Sequence, residues 1–532
     1  LKNKTLANIH MDIFTKDPEN IKSEIQKEIK NHGEFLQSSE NQSAYGLAIL
    51  RDGLPPEDTQ KTTQRTLWMF YGTRNASHNH ADPLNIGYIG YDLDLMPDFG
   101  YPNTLGGELN PEQQWDKSTP AHNTVSFDAL GYRGHIVGYG KPLHYDATKS
   151  IQLIHATSNE VENSYKLYAR DYERTTALVR INNSDSYIVD FFHINSTYPY
   201  TYNFHTGEID PASTLYHNIT FDPATPAVTY NKNTFRNVRT AFVHDKLFSI
   251  DWNLVDTWNQ YKRGVRAKTS IHLKITMPGY NKKIQLGEAI PPTNNGSNPA
   301  WVPLLRVPGH GMTTFVSVIE PYELNSKIAS IEILPVWNGK EKADSTVVKA
   351  VRVRLKNGRT DYLINSFDRN TTYRIANKFK FRGFFCLYSE NENGRVIRKY
   401  INDGTLLDDK TYSDRITGRI VDATKELSDT NYIIIRTDER INPKILKGKY
   451  IYVDNSDISD SKGDDALLKY NAVYPIISAV KQSKNMYKLN LGSCSVIKGF
   501  ADLNDYNKGY LRDFNIGSDF YIPLSFLEEY NR

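Results

Sequence analysis

The strongest constraint on the fold is a long succession of short alternating runs, separated by turn residues, between about residues 66 and 380. The run Val351–Leu355 alternates apolar and charged residues. It is followed by Asn357-Gly358 and then by a second candidate strand, Tyr362–Ile364. Asn-Gly between two such runs is a strong signal for a tight hairpin, and a period of two is typical of half-buried strands. The repeated pattern predicts a mainly β fold built on a large antiparallel β-sandwich.

The residues before this region carry helical signals. Asp17-Pro18 is suited to the cap and first turn of a helix, and Ile21, Ile25 and Ile29 recur at a four-residue spacing among lysines and glutamates. Residues 1–65 are therefore expected to form a short helical segment, the last helices of a larger helical domain.

The region after the sandwich predicts a smaller C-terminal β domain, residues 381–532. Its candidate strands are separated by loops rich in Asp, Ser, Lys and Gly, and they are Ile416–Val421, Tyr432–Arg436, Tyr450–Val453 and Tyr474–Val480. The acidic stretch 454–465 lacks the ligand register of a calcium loop and is interpreted as an exposed loop.

Composition excludes two classes of protein. The 532 residues include 64 Lys and Arg against 61 Asp and Glu, so no global positive field favours nucleic acid. No stretch reaches the length of about 18 apolar residues that a membrane span requires. Cys386 and Cys494 are too few for a disulfide framework and have no metal-ligand spacing, so both are predicted to be buried and unpaired.

The segment from His78 to His122 contains the highest density of histidine and acidic residues that could bind a metal or take part in catalysis. On an extended strand His78, His80 and Asp82 share one face, because side chains two apart point the same way. The apolar run Leu84–Tyr91 is expected to be a strand.

A turn at Asp92-Leu93-Asp94 would then bring Met96–Tyr101 alongside that strand, and Asp98 opposite His80. His122 lies in Ala121–Phe127, whose β-branched and aromatic residues favour a further strand. His80, Asp98 and His122 form the N/N/O ligand set that zinc or a similar divalent ion accepts, with a position left open for water or substrate.

Several motifs in this order also resemble one known family. The pattern His78-x-His80-x-Asp82, then Pro97–Tyr101, then His122–Val125 resembles the heparinase II/III-like polysaccharide lyases. The likeness is strongest from Tyr45 to Val125, and it extends to the segments Ala48–Arg51, Val189–Phe191, Asn203–Gly207 and Phe315–Tyr322.

The resemblance implies cleavage of a uronic-acid-containing polysaccharide by β-elimination, in which the site stabilises negative charge that builds on the uronate carboxylate. It implies that His78 lies near the reacting uronate, while His80, Asp98 and His122 hold one divalent metal, expected to be zinc. The metal could be structural or act as a Lewis acid. The resemblance further implies a bacterial enzyme that is periplasmic or secreted.

The resemblance also implies a missing partner. The family's general base and acid tend to come from a helical toroid preceding the β region, and too few residues precede His78 to form one. The toroid is expected on missing N-terminal sequence or on another chain. Tyr101 is the local candidate for an acid, a base or a substrate contact. A basic groove for the anionic polysaccharide is expected from the residues Arg133, His135, Lys141 and His144.

Alternatives remain open on the sequence. A glycosaminoglycan such as heparin or heparan sulfate is the first choice of substrate, and alginate is the main alternative. A metal-dependent hydrolase could use the same three ligands to activate water. A non-catalytic carbohydrate-binding β protein with a structural metal is the third class.

Overall fold

The structure is a computed structural model. It describes residues 23–24, 26–27, 38–53, 63–72, 80–99, 115–127, 140–158, 162–163, 166–224, 235–255, 270–290, 302–456, 458 and 471–530. Strands and antiparallel pairing dominate these ranges, which confirms the predicted mainly β class.

The first sheet lies near the N-terminus. Its strands pair in chain order, and they are β1 (Glu40–Gln42), β2 (Leu47–Asp52), β3 (Arg65–Phe70), β4 (Asn85–Gly90) and β5 (Leu93–Met96). Residues 23–24 and 26–27 are helical, but most of the predicted helical segment lies outside the described residues. The predicted boundary at residue 65 is wrong, because β1 and β2 precede it and pair with β3 across an alternating buried pattern.

A large central sheet follows. Its region contains β6 (Val125–Phe127), β7 (Lys141–Ala147), β8 (Ile151–Thr157), β9 (Glu162–Asn163), β10 (Lys166–Leu167), β11 (Asp171–Arg180), β12 (Ser186–His205), β13 (Ile209–His217), β14 (Phe235–Val243), β15 (Leu247–Leu254), β16 (Ile271–Pro278), β17 (Lys282–Ala289) and β18 (Val302–Glu323). The strands β9 and β10 form a separate ribbon. The long strand β12 pairs with β11, β18 and β6, and so organises the middle of the sheet.

A second large sheet completes the sandwich. Its strands are β19 (Ile328–Leu334), β20 (Val336–Asn338), β21 (Glu341–Lys342), β22 (Val348–Leu355), β23 (Thr360–Ser366), β24 (Tyr373–Ile375), β25 (Phe379–Glu390), β26 (Val396–Leu407) and β27 (Lys410–Thr411). The predicted hairpin is confirmed as β22 and β23, with Gly358 at φ 88° in the turn. The predicted boundary at residue 380 is wrong, because it cuts β25, which pairs along its length with β23 and β26.

The C-terminal β unit contains a seven-stranded sheet and a separate two-stranded ribbon. The remaining strands are β28 (Ile416–Ala423), β29 (Asn431–Arg436), β30 (Tyr450–Val453), β31 (Val473–Pro475), β32 (Ser478–Ser483), β33 (Met486–Gly492), β34 (Ile497–Phe500), β35 (Tyr510–Arg512), β36 (Asp519–Ile522) and β37 (Ser525–Glu529). The last strand returns to the second large sheet by pairing with β26. Short 3-10 helices lie at Thr119–Ala121, Pro443–Leu446 and Tyr506–Lys508.

The central sheet is apolar on both faces. Leu153, Val189 and Val316 pack against Val351 and Leu387 of the second large sheet, which makes the interior of the sandwich. A separate core joins the other face of the central sheet to the first sheet. Burial on both sides explains why β8 is buried at every position instead of alternating. The site described below lies at the contact between the first and central sheets.

Both cysteines are free, as predicted, although only Cys386 is fully buried and Cys494 is half-buried. Burial raises the pKa of both thiols, most strongly that of Cys386. Because the thiolate is the reactive form, we expect a native thiol titration to detect Cys494 slowly and Cys386 not at all. Titration in denaturant should detect both. Rapid native labelling of Cys386, located by mass spectrometry, would contradict this packing.

Helices long and apolar enough to span a membrane do not occur in the part of the chain that the structure describes.

Candidate metal centre

The hairpin of β4 and β5 delivers Asp98 to the site. Gly90 pairs with Leu93, and the two turn residues Tyr91 and Asp92 have φ 53° and 61°, the left-handed conformation that tight hairpins require. The turn therefore lies earlier than predicted, and β5 has ended before Asp98 is reached. The expected strand Met96–Tyr101 is wrong for residues 97–99, which follow the end of β5 at Met96 and belong to no strand, and residues 100–101 lie outside the described residues.

His80 reaches the site from a turn and not from a strand. Residues 80–84 contain no strand, because Pro83 has no N–H for a ladder and Leu84 has φ 58°. The backbone N–H of Asn85 closes the turn by donating to the carbonyl of Asp82. The expected strand that places His80 and Asp82 on one face is therefore wrong, although His80 still lies beside Asp98.

His122 follows the 3-10 helix Thr119–Ala121, and its side chain is fully buried. Its Nδ1–H donates to the carbonyl of Ser118 at 2.8 Å. The Nε2 lone pair consequently faces His80 and Asp98. Metal-binding histidines usually have this arrangement, in which a backbone or carboxylate partner fixes the tautomer of the ring. The expected strand Ala121–Phe127 is shorter than predicted and begins at Val125.

Three ligand atoms converge at this point. His80 Nδ1 lies 3.0 Å from His122 Nε2 and 3.3 Å from Asp98 Oδ1, and His122 Nε2 lies 3.5 Å from Asp98 Oδ2. One ligand atom from each residue lies within 4.8 Å of the other two. The side chain of Asp98 is 33% exposed and that of His80 10%, so one side of the cluster faces solvent. The structure thus brings together all three predicted ligands.

The electrostatics of the cluster fit a cation. Burial, the largest influence, raises the pKa of Asp82 well above its ordinary value and that of Asp94 to about 7, and the charge of Asp98 adds to both shifts. The Oδ1 atoms of these two carboxyls are buried without a hydrogen-bond partner among the described residues. A divalent ion held by His80, Asp98 and His122 would favour the charged forms of these two neighbouring carboxyls.

The two histidines differ in their protonation. Burial lowers the pKa of His122 to about 4, so this ring is neutral at neutral pH and its Nε2 can accept a bond. Burial acts in the same direction on His80, but the hydrogen bond and charge of Asp98 outweigh it and raise the pKa of His80.

Two asparagines that the sequence reasoning missed connect these segments. Asn85 donates from Nδ2 to Asp98 Oδ2 at 3.2 Å, and its Oδ1 accepts the backbone N–H of Asn123 at 3.0 Å. The Asn123 side chain in turn accepts the backbone N–H of His205 at 2.7 Å. Both asparagines could have been identified from their position, because each lies inside an apolar stretch or a family-like motif. A buried amide side chain in such a stretch is normally hydrogen-bonded, which indicates a structural role.

His205 is a further histidine near the cluster. It is buried against Phe99, and burial lowers its pKa to about 3. Its Nε2 has no partner among the described residues. His205 lies within the family-like segment Asn203–Gly207, but no local pattern in the sequence predicts a role for it.

Other predicted site residues cannot be placed. His78, Tyr101, Arg133 and His135 lie outside the described residues. His144 is wrong as a groove residue, because it is buried between His155 and Asp403, where its Nε2 lies 2.9 Å from the Asp403 carboxylate.

Comparison with known proteins gives a match to one family model and distant similarity to solved structures. No curated protein matches the chain. Among solved structures, the heparan sulfate lyase HepC of Pedobacter heparinus is 13% identical with a TM-score of 0.38, and the match covers 62% of this chain and 43% of that one. A heparinase III structure is 15% identical with a TM-score of 0.37, covering 63% and 44%. The chain thus spans less than half the length of these structures.

The family model is more informative than the solved structures. The model described as heparinase II/III-like, C-terminal, matches residues 43–310, which is half of the chain. The matched residues include all three members of the histidine and aspartate cluster and the strands that support it. This chain belongs to the heparinase II/III-like family, because its residues 43–310 match the family's C-terminal domain.

Proposed function

We propose that this chain is the metal-binding β portion of a polysaccharide lyase that cleaves a uronic-acid-containing polysaccharide by β-elimination. The observation that carries the proposal is the convergence of His80, Asp98 and His122 within the family-matched residues. A glycosaminoglycan such as heparin or heparan sulfate is the proposed substrate, and alginate is the alternative.

The reaction needs no water. A base removes the C5 proton of the uronate, the released electrons form a double bond between C4 and C5, and the C4–O bond breaks as an acid protonates the leaving oxygen. The C5 hydrogen is weakly acidic, so the enolate-like charge on the carboxylate must be stabilised. We assign that contact to His78 by the family pattern and propose Tyr101 as the local acid, base or substrate contact. A helical toroid would supply the remaining groups.

We propose that His80, Asp98 and His122 hold one divalent ion, with zinc the expected metal. A bound ion would supply fixed positive charge at this end of the hairpin, either as a structural centre or as a Lewis acid. The chain's own residues prepare the site: Ser118 fixes the tautomer of His122, and Asn85 orients the Asp98 carboxylate. The buried Oδ1 atoms of Asp82 and Asp94 have no hydrogen-bond partner among the described residues, and they support the proposal because a nearby cation would stabilise the charged forms that burial disfavours.

A location outside the cytoplasm, periplasmic or secreted, is part of the same proposal. A long anionic polymer does not cross a membrane unaided, so the enzyme must meet it where it is found. Fractionation of the native host, with detection of this chain by mass spectrometry, tests the location.

The test of activity uses this chain and, separately, a protein in which it is joined to a family helical toroid. Each is incubated with heparan sulfate, chondroitin sulfate, hyaluronan and alginate, and the ultraviolet absorbance of the unsaturated uronate product is followed. We expect the absorbance to rise with heparan sulfate only when the toroid is present. Saturated reducing ends without that absorbance would favour the metal-dependent hydrolase, and binding without any product would favour a carbohydrate-binding role.

A further inference from the structure

A buried ion pair lies directly behind the metal-ligand cluster. Arg174 of β11 and Asp190 of β12 are 0% and 1% exposed. The guanidinium donates from Nε to Asp190 Oδ1 at 2.8 Å and from Nη2 to Asp190 Oδ2 at 2.9 Å, a bidentate arrangement. Asp190 also accepts from Thr176 and from Tyr202. Its carboxylate is therefore fully engaged, and it fixes the orientation of the arginine.

The remaining edge of Arg174 points at the site. Its Nη1 donates to the carbonyl of Leu84 at 2.8 Å and also to the carbonyl of Asn123. Leu84 ends the turn that carries His80, and Asn123 directly follows His122. One guanidinium group thus holds the two chain segments that deliver the two histidines.

Further hydrogen bonds tie those segments to each other, among them one from the backbone N–H of Ala81 to the carbonyl of Lys117 at 2.9 Å. The hydroxyl of Thr124 donates to the carbonyl of Pro83 at 2.6 Å, and Asn85 accepts the backbone N–H of Asn123. Both segments are irregular, without the ladder that would fix a pair of strands. Their spacing consequently depends on Arg174 and on these few contacts.

From this geometry we propose that the Arg174–Asp190 pair is the positioning device of the metal centre, setting the separation of His80 and His122 through the carbonyls of Leu84 and Asn123. The inference rests on the proposed metal site and gives a role to Asp190, which lies in a family-like motif with no function so far. Because the pair acts on backbone and not on ligand atoms, it is a positioning pair and not a ligand.

The chain contains a close chemical match for this pair. Arg359 donates from Nε and Nη2 to Asp361, and also to the carbonyls of Arg180 and Ile181. Asp361 accepts from Tyr187, as Asp190 does from Tyr202. Both pairs are buried. The two carbonyls that Arg359 holds, however, lie at the C-terminal end of β11 and just beyond it, and neither segment contains a residue of the proposed metal site. A merely structural role would make the two pairs equivalent.

The experiment compares Asp190→Asn with Asp361→Asn in the full 532-residue chain, using Co²⁺ alone as the probe. Affinity is measured by competition with a chelator, geometry by the visible spectrum of the bound ion, and stability by denaturant unfolding. We expect both variants to lose stability. Only Asp190→Asn should weaken Co²⁺ binding, by about tenfold or more, as for other residues that orient metal ligands, and alter the spectrum.

A gentler pair of variants guards against failure to fold. Tyr202→Phe and Tyr187→Phe each remove a single hydroxyl donor from the respective carboxylate, and only Tyr202→Phe should shift the spectrum. If wild-type protein binds Co²⁺ and neither Asp190→Asn nor Tyr202→Phe changes affinity or spectrum, the positioning role is overturned. If wild-type protein binds no Co²⁺, the proposed metal site is overturned and the inference with it.

Discussion

Replacing His122 with alanine is expected to remove the metal that we propose this protein binds and to lower its stability in the same step. The fully buried Nε2 of His122 is one of three converging ligand atoms, and two remaining ligands do not hold a divalent ion tightly. Because metal binding is coupled to folding, the loss should appear in both measurements. Elemental analysis should find about one equivalent of metal in the wild type and a trace in the variant, since the site has a single set of ligands. A chelator should lower the unfolding temperature of the wild type only.

Two controls make this result specific. His310 is exposed on β18, so His310→Ala should retain the metal and the wild-type stability. His78→Ala should also retain the metal and the fold but lower turnover, if His78 contacts the uronate as proposed. Retention of a full equivalent of metal by His122→Ala would overturn the ligand set. Loss of metal from His78→Ala would instead show that the division between ligands and catalytic residue is wrong.

Asp403→Asn is expected to destabilise the fold by about 3 kcal/mol, the low end for removing one partner from a buried ion pair. Asp403 is 0% exposed and lies on β26, where it accepts from His144 at 2.9 Å and from Arg415 and forms an ion pair with Arg369. Removing its charge leaves these donors uncompensated, although the two arginines retain some access to water. Asparagine is the suitable replacement because Asp403 has φ 47°, which Asn tolerates well. Urea unfolding with a constant slope measures the change.

The matched control is Asp414→Asn. Asp414 also pairs with Arg369, but its side chain is 54% exposed, and exposed pairs contribute at most about 1 kcal/mol. Equal losses in the two variants would show that burial of Asp403 does not determine its contribution.

The stability lost in Asp403→Asn should also depend on pH. Burial alone would raise the pKa of Asp403, but the hydrogen bonds and charges of His144 and Arg415 outweigh it and hold the pKa well below the ordinary 3.8. A carboxyl with a depressed pKa stabilises the fold above its unfolded pKa, and this contribution disappears as the pH falls towards the folded value. The difference in stability between wild type and Asp403→Asn should therefore be full near pH 6 and shrink in acid below about pH 4.

The fold could be predicted where local pattern decides it. The hairpin of β22 and β23 follows from alternation and an Asn-Gly turn, and each needs only neighbouring residues. The domain boundaries could not be predicted in the same way. β1 and β2 are short, and their assignment to a sheet depends on pairing with β3 and on burial against the central sheet. The sequence pattern predicted that a new domain begins within β25, but β25 belongs to the sandwich because it pairs with β23.

In the site, too, local pattern predicted some features, whereas others depend on contacts between distant segments. His80, Asp98 and His122 were identifiable because their residue types and order match a family and a ligand set. The local conformation was predicted less well, since a strand was expected where Pro83 and Leu84 make a turn. Asn85, Asn123 and Arg174 were missed because their roles depend on contacts between segments far apart in the chain, and no local pattern records such contacts.

These long-range contacts determine when the site can form during folding. Arg174 and Leu84 are 90 residues apart, and His205 and Asn123 are 82 apart. Closing such loops is slow, and sheets dominated by distant pairings fold slowly. The histidines therefore reach their final separation only after β11 and β12 have joined the N-terminal strands. In small zinc domains the ion organises an otherwise unfolded chain, whereas here the ligand set is a late product of folding, and the proposed ion would bind a site that the protein has already built.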